Sequence, residues 1–249
     1  MKNVFSYLPA SLLLIWILVA VASLWLPLQP NHVALEAILQ SPGVATGFGY
    51  DDLGRPVLDR LLLGAGTSLF VAFTVMAISL VIGTTVGVLS AWWGGRADQV
   101  LMRITDVFLA FPGILLAIAL AGLLGPGIVN LVIALSIVGW VGFARLARAQ
   151  VLVVREREHI QAARALGSGQ WFCIWKHVLP LIAAPLIVEA TFAISGLIIA
   201  EAGLSFLGLG VQPPDPSWGS MIRDGARYLL VAPHLVVVPG LALMSIVLA

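Results

Sequence analysis

Two carboxylates that stand in or beside apolar runs are the first residues whose chemistry needs an explanation. Glu189 lies inside the apolar run 180–202, and Glu201 lies near its end. A carboxylate at the centre of a membrane-spanning helix costs about 3 kcal/mol unless it faces a cavity or a partner. Glu189 is therefore either part of a path that a solute follows through the membrane, where it contacts a cationic group, or a protonated or hydrogen-bonded contact between helices. Glu201 is the second candidate for such a path.

Groupings that are typical of enzymes are missing from the sequence. His32, His234, His159 and His177 are dispersed, without a Ser/His/Asp or metal-ligand spacing. Cys173 is the only cysteine, so no intrachain disulfide can form. The sequence also lacks the GxxxxGK[ST] loop that cradles ATP phosphates. We predict no catalytic residue, no metal site and no cofactor bound by this chain, which disfavours an intramembrane enzyme.

The composition is that of a membrane protein. Hydrophobic residues make up 60% of the 249 residues and charged residues only 10%. The mean hydropathy of +1.05 is far outside the range of a soluble domain. A net charge of +1, without a basic run interleaved with aromatic residues, argues against nucleic acid as a partner. The lipid bilayer is the expected surrounding of this chain.

Apolar runs divide the chain into six candidate spans, since a helix that crosses a bilayer needs about 20 mostly apolar residues. The spans are predicted near 8–28, 66–93, 104–124, 127–147, 180–202 and 233–249. The first follows Lys2 but is long and has no small-x-small cleavage site after it, so it is predicted to be retained. The fold class is therefore all-α and polytopic, and the chain ends at Ala249 inside the sixth span.

The orientation follows from the distribution of basic residues. With a cytoplasmic N-terminus, nine of the 13 Lys and Arg residues fall on the cytoplasmic side and four outside, as the positive-inside tendency expects. Seven of the 12 acidic residues fall outside. We therefore expect both termini and the polar segment 156–180 to face the cytoplasm.

That polar segment, EREHIQAARALGSGQWFCIWKHVLP, is the longest polar interruption between apolar runs. Ile160, Ala163 and Gly167 lie on one stripe of a short helix. Gly167-Ser168-Gly169 can end that helix, and a second piece, 170–176, is predicted to stop before Pro180. Composition alone favours an amphipathic interfacial helix or a solvated connector, and only the full spacing of the segment reverses that order.

The spacing of Gln161-Ala162-Ala163, Gly167 and Leu179-Pro180 resembles the EAA loop of ATP-binding-cassette (ABC) importer permeases. The resemblance implies short coupling helices, within 155–180, that dock into a groove of an ATPase subunit. Gln161 stands where the family has the Glu that names the loop. The coupling residues implied are Glu158, Gln161, Ala162, Ala163, Gly167, Leu179 and Pro180.

Two further stretches resemble the dipeptide, oligopeptide and nickel branch of these permeases. Residues 47–69 are similar to the entry of its second span, with departures at Pro56, Asp59 and Ala65. Residues 200–218, AEAGLSFLGLGVQPPDPSW, are similar to its EAALSFLGLG signature. Residues 98–112 between them also match, and Pro112 is expected to kink the third span.

Several local features follow from the residues themselves. Gly203, Gly208 and Gly210 predict a short helix that dips into the membrane rather than one continuous helix. An ion pair between Arg103 and Asp106 at i, i+3 is possible. Close helix contacts are expected at three small residues of the fourth span, Gly139, Gly142 and Ala144.

The resemblance implies a transporter subunit with the type I ABC importer permease fold in a bacterial inner membrane. Residues 1–63 would form the first span and an external segment, and 64–249 the permease core. The implied partners are a homologous permease, two ATPases that use ATP and Mg, and an external substrate-binding protein. Di- or oligopeptides are the first substrate choice and nickel or a metal chelate is the alternative. A proton-coupled carrier that uses Glu189 and Glu201 would leave the EAA-like loop without a purpose.

Overall fold

The computed structural model describes residues 8–249, with side chains from Ser11 onward, and this part of the chain is nearly all helical. Its α-helices are α1 (Leu8–Ala22), α2 (Val57–Trp93), α3 (Gly95–Leu109), α4 (Gly113–Leu124), α5 (Ile128–Val154), α6 (Glu158–Ala165), α7 (Gln170–Cys173), α8 (Leu179–Phe206), α9 (Trp218–Ala226) and α10 (His234–Val247). A π-helical turn, Ile174–Val178, joins α7 to α8 without a break. The predicted all-α fold class is confirmed.

Within the described residues, three helices are long and apolar enough to cross a membrane: Val57–Trp93, Ile128–Val154 and Gln170–Phe206. They correspond to the predicted spans 66–93, 127–147 and 180–202, and the first and third begin about ten residues earlier than predicted. The first and last predicted spans contain helices of only 15 and 14 residues, α1 and α10. At 1.5 Å per residue these are about 22 Å long, shorter than the roughly 30 Å hydrocarbon core. Among residues 8–249, helices of full span length therefore number three, or four if the bent pair of α3 and α4 is one span.

The third predicted span, 104–124, is two helices rather than one. The axes of α3 and α4 meet at 85°, with the break at residues 110–112. Pro112 has no backbone N–H, and the residue before a proline is disfavoured in the helical conformation. The kink predicted at Pro112 is confirmed, and at 85° it divides the third predicted span into two helices that together are long and apolar enough to cross a membrane.

The glycine-rich stretch after the fifth span also differs from expectation. Gly203 remains inside α8, which continues to Phe206. Gly208, two residues after the end of the helix, has φ +82° and closes it with a Schellman motif. Its N–H donates to Ser205 O, and Leu209 N–H donates to Leu204 O. The helix break expected at Gly203 is therefore wrong, whereas Gly208 does mark an interruption. A left-handed glycine terminates a helix, and a glycine with helical dihedrals does not.

The chain packs as two compact units, and α2, α4, α5 and α8 each contribute residues to both. The first unit comprises the residues up to Thr74, Ile118–Ala134 and Ser195–Ala249. The second comprises Val75–Ala117 and Leu135–Ile194. The polar segment 156–180 lies wholly in the second unit.

Trp218 is the centre of the first unit. Its side chain is fully buried, and its indole N–H donates to Leu61 O at 3.1 Å. Trp16 packs edge-on against it with ring centroids 4.9 Å apart, and donates its own N–H to Ser245 Oγ at 2.8 Å. A capping box between Ser217 and Ser220 begins α9 at this point. These contacts join α1, α2, α9 and α10.

A buried ion-pair cluster fixes the segment before α2 in the same unit. Asp51 Oδ1 accepts the backbone N–H groups of Leu53 and Arg55, each at 2.9 Å. Asp51 Oδ2 lies 2.7 Å from Arg55 Nε and 3.5 Å from Arg60 Nε. Removing one partner of a buried pair typically costs about 3–5 kcal/mol. Arg55 and Arg60 therefore hold this segment to the first turn of α2.

Asp52, beside that cluster, gives a prediction for pH dependence. Burial, and then the charge of Asp51, raise the pKa of the Asp52 carboxyl above its ordinary value of 3.8. The folded state then binds this proton more tightly than the unfolded state, so stability is lost as the pH rises from 3.8 through the folded-state pKa. We expect Asp52→Asn to raise the melting temperature at pH 7, with a gain that shrinks as the pH falls toward 4.

Thermal unfolding in detergent at both pH values measures this effect. Asp215→Asn, which removes an exposed carboxylate of the same unit, is the matched control and should leave the melting temperature unchanged. An Asp52→Asn protein that melts at or below the wild-type temperature at pH 7 would contradict the prediction.

Close packing of α2 on α5 dominates the second unit. Gly83 and Gly87 lie one turn apart on α2. A Cβ atom at Gly83 would lie 2.6 Å from Phe143 Cβ, and one at Gly87 would lie 2.8 Å from Ala147 Cβ. On α5, a Cβ atom at Gly139 would lie 2.6 Å from Ser79 Oγ. Small residues on both helices let the backbones approach this closely, as predicted for the fourth span.

Candidate coupling site

The first helix of the polar segment is α6, an eight-residue helix that three connecting residues separate from the end of α5. Arg157 precedes it in an extended conformation, and its carbonyl accepts the N–H groups of Ile160 and Gln161. Glu158 lies in the first turn and Arg164 in the last, and both charges favour the helix dipole. The predicted first coupling helix is therefore present, although no side chain caps its start.

Gly167 ends α6 as predicted, by a defined backbone mechanism. Its φ of +87° is left-handed, a conformation that costs residues with a Cβ about 1–2 kcal/mol. The N–H of Gly167 donates to Arg164 O and that of Ser168 to Ala163 O, both at 3.0 Å. These two bonds form a Schellman motif, which satisfies the last carbonyls of the helix and turns the chain toward α7.

Three contacts hold α6 against the rest of the second unit. Ile160 is fully buried in the core cluster that includes Val154 and Ile174. The Arg164 guanidinium lies 5.6 Å from the ring centroid of Trp92, at the end of α2. His159 packs edge-on against His177 of the π-helical turn, with centroids 6.0 Å apart. Burial of Ile160 shows which face of α6 points inward.

The face of α6 opposite Ile160 is open to solvent and carries three of the predicted coupling residues, Glu158, Gln161 and Ala162, all of them exposed. Ala163, on the same stripe as Ile160, is half-buried, and Gly167, just after the end of the helix, is exposed. Gln161 Nε2 donates to Glu156 O at 3.2 Å, which keeps its side chain along the helix. Leu166, 87% exposed, borders this face. The exposed surface is thus a patch that combines the polar Glu158 and Gln161 with the small Ala162 and the apolar Leu166.

Leu179 and Pro180 do not belong to this patch. The prediction that the second piece of the loop stops before Pro180 is wrong, because α7, the π-helical turn and α8 form one uninterrupted helix, Gln170–Phe206. The N–H of Leu179 donates to Ile174 O, five residues back. Such a widened turn accommodates proline, which has no N–H to give to a regular helix. Leu179 is half-buried and Pro180 is exposed.

The two candidate path residues lie in different surroundings on α8. Glu189, in the second unit, is half-buried, and its Oε1 lies 3.7 Å from the position a Cβ would take at Gly142. Glu201, in the first unit, is fully buried and accepts a hydrogen bond from Ser205 Oγ at 2.7 Å. The two carboxylates thus belong to different units, each with its own surroundings.

Sequence reasoning missed two arginine contacts beside the loop. Arg148, on α5, donates to both carboxylate oxygens of Asp98, on α3, at 2.6 Å each. Arg155 Nη1 donates to Ala91 O at 2.5 Å. The seven-residue spacing of the arginines, which places them on one helix face, was the available signal. The ion pair considered between Arg103 and Asp106 is not among the salt bridges of residues 8–249.

Comparison with known proteins adds independent findings. The family described as the inner-membrane component of binding-protein-dependent transport systems matches residues 83–249. The chain belongs to this family. It is therefore a membrane component of a transport system rather than an enzyme, located in the inner membrane with several membrane-spanning helices.

Curated relatives agree with this membership. A glutathione transport system permease protein of Pectobacterium atrosepticum is 39% identical over 88% of this chain and 73% of its own length. A dipeptide transport system permease protein of Alkalihalophilus pseudofirmus is 43% identical over 84% of this chain and 69% of its own length. A probable D,D-dipeptide transport system permease protein of Escherichia coli is 39% identical over 94% of this chain and 79% of its own length.

A solved structure confirms the fold. A chain of the MetNI methionine ABC transporter, in an inward-facing conformation, superposes with a TM-score of 0.60. The match covers 77% of this chain and 96% of that chain, at 21% sequence identity. At this identity the likeness concerns the fold alone, and it agrees with the importer-permease fold expected from the sequence.

Proposed function

We propose that this permease forms half of the translocation pathway of an ATP-driven importer for di- or oligopeptides. In this proposal the chain pairs with a homologous permease as a heterodimer. Two separate ATPase subunits supply the energy by hydrolysing ATP with Mg, and an external binding protein delivers the substrate. The N-terminus is cytoplasmic, residues 1–63 form the first membrane segment and an external segment, and residues 64–249 form the core.

The observation that carries the proposal is the two-sided character of α6. One face is anchored through Ile160, while the opposite face presents Glu158, Gln161 and Ala162 to solvent. A short helix with small residues can lie in a groove of another protein with close backbone contact, and the exposed Leu166 adds an apolar anchor. We assign this face, together with Ala163 and Gly167, to docking on an ATPase subunit.

Leu179 and Pro180 take a different place in the proposal. Both lie in the helix Gln170–Phe206, and in this proposal they couple the ATPase to the membrane part of that helix. A displacement of α6 by the ATPases then reaches α8 through a rigid helix. Movement of such elements as rigid bodies produces alternating access of the pathway to the two sides of the membrane.

Peptides are the proposed substrate because the relatives at about 40% identity are named for peptide, dipeptide and glutathione transport. A peptide carries a protonated amino group, which a carboxylate in the pathway can bind. Glu189 is half-buried on α8 and is our candidate for that contact.

Glu189→Gln tests this assignment while keeping the shape of the side chain. A hydrogen bond to a charged group contributes about 1.5–3 kcal/mol, so we expect transport of a dipeptide with a free amino terminus to fall by about 10- to 100-fold. The same dipeptide with an acetylated amino terminus serves as the matched substrate and should be unaffected by the substitution. Unchanged transport of the free dipeptide would favour the helix-contact interpretation of Glu189.

The function itself is tested with the complete complex in lipid. The ATPase rate is measured with and without the binding protein, loaded either with peptides or with Ni²⁺. Stimulation by peptide-loaded binding protein is the expected result. Stimulation only by the Ni²⁺-loaded form would transfer the assignment to metal transport, and lack of stimulation by either would overturn the importer proposal.

A further inference from the structure

The α2–α3 corner of the second unit contains a polar network whose residues are not part of the proposed docking face. The turn between the two helices is formed by Gly94 and Gly95, with φ values of +65° and +57°. Asp98 lies in the first turn of α3, and Ser90 Oγ, on the last turns of α2, donates to its Oδ1. The carboxylate thus joins both helices across their turn.

Arg148 attaches α5 to this corner. Its Nε lies 2.6 Å from Asp98 Oδ1, and its Nη2 lies 2.6 Å from Asp98 Oδ2. This bidentate geometry fixes both distance and orientation, which a single charge contact does not. Both side chains are shielded, with 32% of Arg148 and 18% of Asp98 exposed.

Arg155 makes a second attachment seven residues later, on the same face of α5. Its Nη1 donates to Ala91 O at 2.5 Å, at the end of α2. Only two residues separate Arg155 from the start of α6. The two arginines therefore fasten the last two turns of α5 to the α2–α3 corner at the point where the chain enters the coupling loop.

We propose that this arginine clamp, formed by Arg148 on Asp98 and Arg155 on Ala91 O, transmits displacement of the coupling loop to α3. The inference rests on the proposed coupling function of α6. A movement of α6 shifts the end of α5, and the clamp makes the α2–α3 corner follow it. Asp98 and Arg148 are positioning residues in this scheme, because they act through α3 and contact neither the ATPase nor the substrate.

The test uses the complete complex in proteoliposomes and measures peptide transported per ATP hydrolysed. Asp98→Asn should lower this ratio by about tenfold, within the 5- to 150-fold range typical of coupling between sites. Arg148→Lys keeps the charge but loses the bidentate geometry, and should lower the ratio about threefold. Exchanging the partners, Asp98→Arg with Arg148→Asp, should recover most of the loss.

Matched controls lie on the same helices. Asp106→Asn on α3 and Arg145→Lys on α5 change exposed side chains and should leave the ratio at the wild-type value. A purely structural contribution of the clamp would lower the yield or melting temperature of the complex without changing transport per ATP, and that result would overturn the proposal. Should Asp98→Asn fail to assemble, a normal ratio in Arg148→Lys overturns it as well.

The wild-type complex separates this inference from the proposed function. Without stimulation of the wild-type ATPase by loaded binding protein, the importer proposal fails and the clamp fails with it. With wild-type stimulation and a normal ratio in both variants, only the clamp is overturned.

Discussion

Replacing Gly167 with arginine should reduce stimulation of the ATPase by loaded binding protein by roughly tenfold or more, while the complex still assembles. Two effects combine in this expectation. The left-handed φ of +87° costs any residue with a Cβ about 1–2 kcal/mol, which loosens the Schellman motif that ends α6. The long cationic side chain also projects beside the exposed face that we assign to ATPase docking.

Alanine substitutions separate the effect of the left-handed backbone conformation from the effect of the long cationic side chain. No atom lies within 4 Å of a Cβ added at Gly167 or at Gly169, so neither substitution creates a clash. Gly169 has φ −63° and ψ 153°, which any residue adopts readily. Gly167→Ala should therefore weaken stimulation, whereas Gly169→Ala should not. Normal stimulation and transport in Gly167→Arg would refute the coupling assignment of α6.

Replacing Gly87 with leucine should prevent accumulation of the folded permease. A Cβ at this position already lies 2.8 Å from Ala147 Cβ and 2.9 Å from Arg148 N, so a larger side chain must push α2 away from α5. Overpacking of a tight contact typically costs about 1–3 kcal/mol. We expect Gly87→Ala to lower the free energy of unfolding by this amount. Gly87→Leu should lower it further, so that the folded protein does not accumulate.

Membrane yield and thermal unfolding in detergent measure these effects. Gly196→Ala is the matched control, since it lies in the interior of α8 with no atom within 4 Å of the added Cβ. Its yield should match that of the wild type and its melting temperature should not fall, since alanine is favoured over glycine in a helix interior. A Gly87→Leu protein with wild-type yield and melting temperature would show that α2 and α5 are not in close contact.

Much of the coupling site was accessible from the sequence. The i, i+3, i+7 pattern of Ile160, Ala163 and Gly167 predicted a short helix, and Gly167 predicted its end, since local propensity decides both. The predicted stop before Pro180 is wrong. A proline commonly ends a regular helix, but here a π-helical turn accommodates Pro180 within a continuous helix. Sequence pattern does not encode that adjustment, which depends on packing around Ile174 and Val178.

The sequence by itself determined the membrane class, the family resemblance and the position of the polar segment to which we assign coupling, because composition, apolar run length and motif spacing are properties of the chain. Three features were decided only by the tertiary structure. The third predicted span bends by 85°, Gly87 is a point of close helix contact, and Arg148 forms a salt bridge with Asp98, 50 residues away in the sequence. Each of these depends on which surfaces meet in three dimensions. Close packing and bidentate hydrogen bonding act between residues that the sequence order separates.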